Sequence, residues 1–304
     1  MKITMKKLVL TVCLAFLMAS VSPVLAGPPL VMLDGAGGVG VNPTAWITSS
    51  SANTSFLDGW IQKPTAAMWY GNFSEISTAF SAFGLNFGVK DRLELSYGRQ
   101  TACVEHGPNI NVDSFGAKLL LIKENSFDSS FVPALSVGVT YRKNHEFKSN
   151  NDLDDDGFEY YIVASKIVTQ TPIPLIFSGG VTYTDALQRG VFGFNDDDHD
   201  FVWNFDFAGI VPLFRQWDYL KTVVPGFEYR SGVKFNTPNK DLINPFGLDG
   251  DDDYEDADYW DVFADFMVTD NLIIAFGYLW NGNEGSHSKN SLGDCPFFML
   301  DYDF

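Results

Sequence analysis

Large apolar residues alternate with small or polar residues along most of the chain after Trp60. A period of two places alternate side chains on opposite faces of a β-strand. Such a strand suits the wall of a membrane barrel, where one face meets lipid and the other meets a polar lumen. In the final strand, the large apolar residues on one predicted face are Phe298, Leu300, Tyr302 and Phe304.

The alternation predicts twelve strands. They span residues 62–73, 76–89, 92–103, 111–123, 131–146, 158–170, 175–186, 199–211, 222–235, 257–268, 271–281 and 296–304. The segment 158–170 fits either orientation, because apolar residues occupy both of its faces. A soluble β-sandwich would show the same alternation, so the strands alone do not identify the fold.

The connections between the predicted strands separate these two folds. Short connections at 90–91, 124–129, 171–174 and 269–270 interleave with longer ones at 104–110, 147–157, 187–198, 236–256 and 282–295. Short periplasmic turns and long external loops interleave in this way in outer-membrane barrels. Acidic runs at 152–156, 196–200 and 249–258 all fall on the side of the long connections. We therefore predict an all-β fold, a transmembrane antiparallel up-and-down β-barrel of about twelve strands over residues 60–304, with ten or fourteen strands as alternatives.

The first 59 residues differ from the rest. Residues 1–26 have a basic start, an apolar stretch from Leu8 to Met18 and a small residue, Ala26, at the predicted cleavage position, which is typical of a secretory signal peptide. Residues 27–59 are rich in glycine, and they predict either a periplasmic segment or a plug inside the lumen. No run of 18 apolar residues follows Ala26, so the sequence predicts no membrane-spanning helix.

Composition adds two constraints. The chain has 27 Phe, 12 Tyr, 7 Trp and 27 Gly, and this composition without helical periodicity favours β structure. Its net charge of −18 becomes −21 once residues 1–26, with three lysines and no acids, are removed. A chain this acidic is not expected to bind nucleic acid through the phosphates.

Aromatic residues near the ends of the predicted strands suit the girdles of the two membrane interfaces. They are Trp69, Tyr70, Tyr141, Trp203, Tyr229, Trp260, Tyr278, Trp280 and Tyr302.

The inner face of the predicted barrel carries charges of both signs. The predicted pore-lining residues are Arg92, Glu94, Lys118, Arg142, Asp206, Glu228, Arg230, Asp261, Asp265, Asp301 and Asp303. Rings of charge set the selectivity of channels, so we expect a narrow channel for passive diffusion of small solutes, with acidic loops that favour cations at its mouth. Two alternatives remain open, a filled structural barrel and a transporter for small hydrophobic compounds. Small inward residues that leave room for a passage are Gly84, Gly88, Gly98, Gly116, Gly138, Gly180 and Ala208.

Two weaker predictions fall in or beside the long connections. Asp152, Asp154 and Asp156 precede a glycine with the spacing of a Ca²⁺ or Mg²⁺ loop. A solvated acidic loop, or ions shared with lipopolysaccharide phosphates, are the alternatives, and no other cofactor is expected. Cys103 and Cys295 both map to the external end, where they form either a disulfide or two free thiols.

Lipid hydrolysis is the least expected function. It needs a nucleophile, a base and an orienting group at the lipid-facing rim. The histidines are His106, His145, His199 and His287, and none has a Gly-x-Ser-x-Gly partner in the chain. We therefore expect no enzymatic activity.

Four stretches carry a resemblance to a known family: Arg92 to Gln100, Tyr141 to Asn144, Asp155 to Tyr161 and Asp261 to Ala264. They resemble a proteobacterial family of outer-membrane barrels described only as a domain of unknown function. The resemblance covers residues 65–304 and implies a barrel in the outer membrane of a Gram-negative bacterium. It implies no substrate and no catalytic residues.

Both ends of the chain show further resemblances. The final strand resembles the assembly signal of bacterial outer-membrane proteins, which implies the barrel assembly machinery, membrane lipid and lipopolysaccharide as partners and leaves the small solute unknown. The glycine-rich opening with Asn42 and Pro43 is similar to the N-terminal plug of outer-membrane transporters for hydrophobic compounds, although Thr44 and the length depart from that pattern.

Overall fold

Twelve antiparallel strands form the body of the computed structural model. The structure describes residues 30–48, 55–56, 60–73, 78–104, 109–146, 153–195, 198–211, 220, 222–238, 253–281 and 293–304. The strands are β1 Thr65–Phe73, β2 Thr78–Val89, β3 Leu93–Val104, β4 Ile110–Ile122, β5 Ala134–Asn144, β6 Asp156–Val168, β7 Leu175–Thr184, β8 Asp200–Gly209, β9 Thr222–Arg230, β10 Tyr259–Met267, β11 Leu272–Asn281 and β12 Cys295–Asp303.

The sheet closes on itself. Each strand from β1 to β12 pairs with the next along the chain. Strand β12 then pairs with β1, from Phe297 opposite Gly71 to Asp303 opposite Thr65. Closure pairs the backbone of every barrel strand on both sides, which is what a sheet needs in a hydrocarbon environment. The predicted barrel of twelve strands is confirmed, and the observed strands begin and end within about five residues of the predicted ones.

Side chains alternate between a buried inner face and an exposed outer face. Tyr160 and Ile162 of β6 are 51% and 47% exposed, whereas Tyr161 and Val163 between them are 9% and 1% exposed. This resolves the orientation of the segment that the sequence left ambiguous. Outward residues of the same kind recur around the barrel, and they include Met68, Tyr70, Phe115, Phe158, Phe201, Trp203, Trp260, Val262, Phe276 and Tyr302. A continuous apolar belt of this size is far more than a soluble monomer exposes.

One predicted girdle residue faces the other way. Trp69 is 6% exposed, and its indole Nε1 donates a hydrogen bond to the carbonyl oxygen of Val31 at 3.0 Å. Its prediction as a girdle residue was wrong, because the inward positions of β1 are the odd-numbered ones, as the buried Thr65 and Ala67 show.

The two ends of the barrel differ. One end, called the turn end, carries the connections 90–92, 123–133, 169–174, 210–221 and 268–271. The other, called the loop end, carries the connections 74–77, 105–109, 145–155, 185–199, 231–258 and 282–294. Two short antiparallel pairs extend the loop end, Leu153–Asp154 with Phe194–Asn195 and Lys234–Pro238 with Asp253–Glu255. Within the described ranges, no helix is long and apolar enough to cross a membrane.

The apolar belt gives a first prediction. Val262 lies on the outer face near the middle of β10 and is 45% exposed. In lipid vesicles, Val262→Arg is expected to lower the free energy of unfolding by about 2–4 kcal/mol, the usual cost of a cation on the lipid face near the midplane. Urea titration of the protein folded into vesicles measures this. The control Ser130→Arg, in an exposed turn, should change it by less than about 0.5 kcal/mol, and equal effects of the two variants would contradict a lipid-facing belt.

Candidate functional site: the plugged lumen

Residues 30–48 lie inside the barrel, and we call them the plug. Their first part is a small hairpin in which Leu30–Val31 pairs with Gly37–Gly38. All residues of the plug except Leu33 and Val39 are buried. A continuous water path beside the plug would leave much of its surface accessible, so in this conformation the plug fills the lumen.

Glycine allows the plug to lie directly against the wall. Gly35 has φ +88°, and a Cβ there would collide with the backbone of Tyr97 in β3. A Cβ at Gly98, the next residue of β3, would collide with the backbone of Asp34. Of the inward glycines that the sequence predicted to leave room, Gly84, Gly88 and Gly98 lie close to atoms of the plug. Gly116, Gly138 and Gly180 instead lie against residues of the barrel strands, so none of the six marks an open passage.

An ion cluster ties the turn of the plug to the wall. The Asp34 carboxylate lies 2.7 Å from Arg142 Nη2 and 3.1 Å from Arg189 Nη2. Glu159 of β6 is bridged to Arg142 and lies 3.2 Å from Arg230 Nη2. Burial alone would raise the pKa of Asp34, but the two guanidinium groups beside it hold that pKa below its ordinary value. Asp34 is thus an anion whose charge the wall neutralises.

A second contact joins the plug to β3 and β4. Glu94 and Lys118 lie 3.1 Å apart and are each 1% exposed. Glu94 accepts hydrogen bonds from the backbone N–H groups of Gly37 and Thr48, both at 2.7 Å, and Lys118 donates to the carbonyl oxygen of Gly37 at 2.9 Å. One ion pair therefore binds both branches of the plug.

Carboxyl groups on the opposite wall also accept from the plug. Glu228 accepts from the N–H groups of Val41 and Asn42 at 3.1–3.2 Å. The Asn42 side chain donates to Asp206 at 2.7 Å, and the Val31 N–H donates to Asp301 at 2.9 Å. Because an unpaired buried charge costs several kcal/mol, these donors stabilise the carboxyl groups of the wall while the plug is in place.

The connection 185–195 covers the plug at the loop end, and we call it the cap. Arg189 of the cap also donates to the carbonyl oxygen of Val41 at 2.9 Å. Gln188 and Arg189 both have positive φ, at 44° and 59°, a backbone conformation that non-glycine residues hold only when their surroundings impose it. Gln188 is fixed by Asp256, through bonds of 3.0 and 2.9 Å to its backbone and side-chain nitrogens.

Apolar layers lie above and below the charged contacts. At the loop end, Val41 and the cap residues Leu187 and Phe192 pack with inward residues such as Phe73 and Val112. At the turn end, two further clusters surround the two branches of the plug. A cavity of about 30 Å³ remains beside the loop-end cluster, lined mostly by apolar residues that include Leu33, Val41, Phe73, Phe80 and Leu279.

The structure places most of the predicted pore-lining residues on the inner face. Those buried there are Glu94, Lys118, Arg142, Asp206, Glu228, Arg230, Asp261, Asp265 and Asp301. Arg92 instead lies in a turn, where it donates to the carbonyl oxygens of Leu120 and Leu121, and Asp303 is half-buried and accepts from Thr65. Their role in lining a pore stays a prediction.

Sequence reasoning missed three charged residues of the site, Asp34, Glu159 and Arg189. The inward direction of Glu159 follows from that of Tyr161, and this strand is the one whose two faces the sequence did not distinguish. Asp34 and Arg189 lie outside the barrel strands, so strand periodicity gives no information on them.

The predicted disulfide is not formed. Cys103 is exposed and Cys295 is buried, and both are free. Cys103 lies on the outer face of β3, whereas Cys295 lies on the inner face of β12 together with Met299 and Asp301. The barrel wall separates the two thiols, so the pairing alternative was wrong.

The predicted metal ligands lie in different settings. Asp152 is outside the described residues, Asp154 belongs to a short strand pair, and Asp156 lies 3.3 Å from Lys143 Nζ. In the described part of the chain, no group of three or more His, Cys, Asp or Glu side chains is placed to hold a metal ion.

Other predicted residues are placed as follows. His145 lies 2.7 Å from Asp113 and His199 lies 3.7 Å from Asp185, while His106 and His287 fall outside the described residues. The residues of the predicted assembly signal lie on β12, as Phe298, Leu300 and Tyr302, and directly after it, as Phe304. They follow the outward positions that alternate with buried Met299 and Asp301. Residues 1–29 are outside the described residues, so the signal peptide stays a prediction.

The cap gives a second prediction. Burial raises the pKa of Asp185 to about 7, so the folded chain keeps a proton that the unfolded chain loses above about pH 4. Stability should therefore fall as the pH rises from about 4 to about 7, by up to about 1.4 kcal/mol per pH unit from this group. Urea unfolding in detergent across this range should show a shallower decline for Asp185→Asn than for the unaltered chain.

His199 needs a control, because its Nε2 lies 3.7 Å from the Asp185 carboxylate. His199→Gln should leave the decline that depends on Asp185 in place. Parallel pH profiles for Asp185→Asn and the unaltered chain would contradict a protonated Asp185.

Several solved structures are similar to this chain at low sequence identity. The NanC porin is 11% identical, with a TM-score of 0.44, and the match covers 79% of this chain and 98% of that one. The outer membrane protein Omp33 of Acinetobacter baumannii is 6% identical, with a TM-score of 0.41 and 80% and 98% covered. The translocator domain of the autotransporter NalP from Neisseria meningitidis is 13% identical, with a TM-score of 0.40 and 83% and 91% covered.

Among curated proteins, none matches this sequence. One family model does match, over residues 28–291, which is most of the chain. The match takes in both the plug and the barrel strands up to β11, and it confirms the resemblance to a family without a known function. The chain belongs to the family described as "Protein of unknown function (DUF3034)".

Proposed function

We propose that this chain is a barrel of the Gram-negative outer membrane in which the plug gates a narrow passage for small solutes. The observation that carries the proposal is the burial of residues 30–48 inside the barrel, on charged side chains of the wall. The unbroken apolar belt of the outer face supports a membrane location.

The contacts of the plug are suited to a gate. They are polar bonds to the wall, in addition to apolar packing, and water that enters the lumen can satisfy the same polar groups when the plug leaves. A passage through the lumen requires at least part of the plug to leave the wall. The solute would then pass between strands that the plug now covers, without unfolding of the barrel.

Asp34→Asn is expected to open this gate more often. The substitution removes the charge that Arg142 and Arg189 hold. A bond between charged partners contributes roughly 1.5–3 kcal/mol, so the open fraction should rise about tenfold to hundredfold. Planar-bilayer recording measures it. The matched control Asp113→Asn removes a carboxylate on the outer face, 3.6 Å from Arg99, and should leave the opening frequency unchanged.

An engineered disulfide that holds the plug against the wall gives a second, reversible test of gating. A Cβ at Gly88 would lie 2.9 Å from Ile47 Cγ2, and its other close neighbour is the flexible side chain of Gln62. Ile47→Cys with Gly88→Cys should therefore join plug and wall through a disulfide in a chain with Cys103→Ser and Cys295→Ala. We expect no current from the oxidised form and current after reduction. Equal currents in both forms would contradict gating by the plug, and silence of the folded, reduced chain would leave a filled structural barrel.

A transporter for small hydrophobic compounds is the second candidate. The apolar layer at the loop end favours it, since a channel for polar solutes has no need of an apolar layer. Vesicles that contain the protein with the engineered disulfide distinguish the two functions. Uptake of a small aromatic compound that depends on reduction, without any ionic current, would support the second candidate and contradict the first.

A further inference from the structure

The charged side chains buried on the inner face are strongly biased in sign. Among the described residues of the twelve strands, the buried carboxylates are Glu94, Glu159, Asp206, Glu228, Asp261, Asp265 and Asp301, and the buried cations are Lys118, Arg142 and Arg230. The wall itself therefore has an excess of four acidic groups. The acidic loops outside the barrel do not enter this count.

The acidic excess lies on one side of the barrel. Asp206 on β8, Glu228 on β9 and Asp261 on β10 are direct neighbours across the strands, because Asp206 is opposite Glu228 and Glu228 is opposite Asp261. Asp265 lies four residues further along β10, toward the turn end, and Asp301 lies on β12. Within the described part of the chain, no lysine or arginine forms an ion pair with these five, which we call the acidic wall.

Several buried oxygens of the acidic wall have no hydrogen-bond partner among the described residues. Asp261, Asp265 and Asp301 are 1%, 4% and 1% exposed, and Oδ1 of each has no hydrogen-bond partner among the described residues. The partners that the acidic wall does have come largely from the plug, through the N–H groups of Val31, Val41 and Asn42. A buried acceptor without a donor destabilises the folded protein, so three of them in one site indicate a functional role for these carboxyl groups.

We propose that the gated passage selects small cations, and that the acidic wall is the track that binds them. The inference rests on the proposed gating, since the track is covered while the plug is in place. Once the plug moves, its N–H donors leave and water enters. Hydrated Asp and Glu side chains are ionised at neutral pH, and rows of ionised carboxylates favour cations over anions in a narrow pore.

The buried cations of the strands do not cancel this preference. Lys118 stays beside Glu94, and Arg142 and Arg230 stay beside Glu159, because all five of these side chains belong to barrel strands. Lys118 and Glu94 together have no net charge, and Arg142, Arg230 and Glu159 together have a net charge of +1. The acidic wall therefore dominates the field in the open lumen.

Reversal potentials in a tenfold KCl gradient test the proposal. The full-length Asp34→Asn chain is used, because it should open often and retains every residue of the acidic wall. We expect potassium to be several times more permeant than chloride. Asp261→Asn with Asp265→Asn, which keeps the side-chain volumes, should reduce that ratio at least twofold, and the control Asp113→Asn on the outer face should not change it.

The outcomes separate the two proposals. Current without cation preference, or a preference that the double substitution leaves unchanged, would overturn the acidic wall as a cation track while leaving the gate intact. The absence of current from a folded chain, with folding verified by its circular dichroism, would overturn the gate and the track together. Selectivity that disappears only when the external acidic loops are neutralised would assign the preference to the mouth and not to the lumen.

Discussion

The hydrogen bonds and ion pairs between the plug and the inner wall are the interactions on which the rest of this structure depends. The inner face of the barrel buries ten charged strand residues, and a charge that is removed from water without a partner costs several kcal/mol. The backbone groups of the strands cannot pair with these charges, because they already form the hydrogen bonds of the closed sheet. The plug supplies the missing partners. One of its carbonyl groups accepts a hydrogen bond from Lys118, and its N–H groups donate to Glu94 and Glu228. The carboxylate of Asp34 forms an ion pair with Arg142.

The same contacts explain the unusual composition of the plug. A segment inside a barrel must offer its backbone to the wall at close range, and glycine lets it do so at Gly35 and Gly37. The apolar layers at the two ends of the lumen then exclude water from the charged middle, which strengthens each electrostatic contact. The barrel and its plug thus form one packed interior.

Much of the barrel was predictable from sequence, because a period of two is imposed by strand geometry wherever the two faces meet different surroundings. It predicted all twelve strands and the inward direction of most of the charged residues. It did not distinguish the faces of β6, since Tyr160 and Tyr161 are both large and aromatic, and Glu159 was missed for that reason. The plug could not be placed, because its irregular backbone has no period and its position depends on partners distant in sequence.

Two other errors have a physical cause that the sequence did contain. Cys103 lies an odd number of residues after Glu94 on one strand, and Cys295 lies an even number before Asp301 on another, so strand parity puts the thiols on opposite faces. Trp69 was assigned to a girdle by its residue type, although it shares the odd-numbered positions of β1 with the small residues Thr65 and Ala67 on the inner face.

Amide hydrogen exchange of residues 30–48 in the folded protein tests the central claim most directly. If the wall binds the plug as described, the amides of Val31, Gly37, Val41, Asn42 and Thr48 will exchange orders of magnitude more slowly than in an unstructured chain, because each donates to a buried carboxylate. Exchange of the whole segment at the rate of an unstructured peptide, while the barrel strands stay protected, would contradict a plugged lumen.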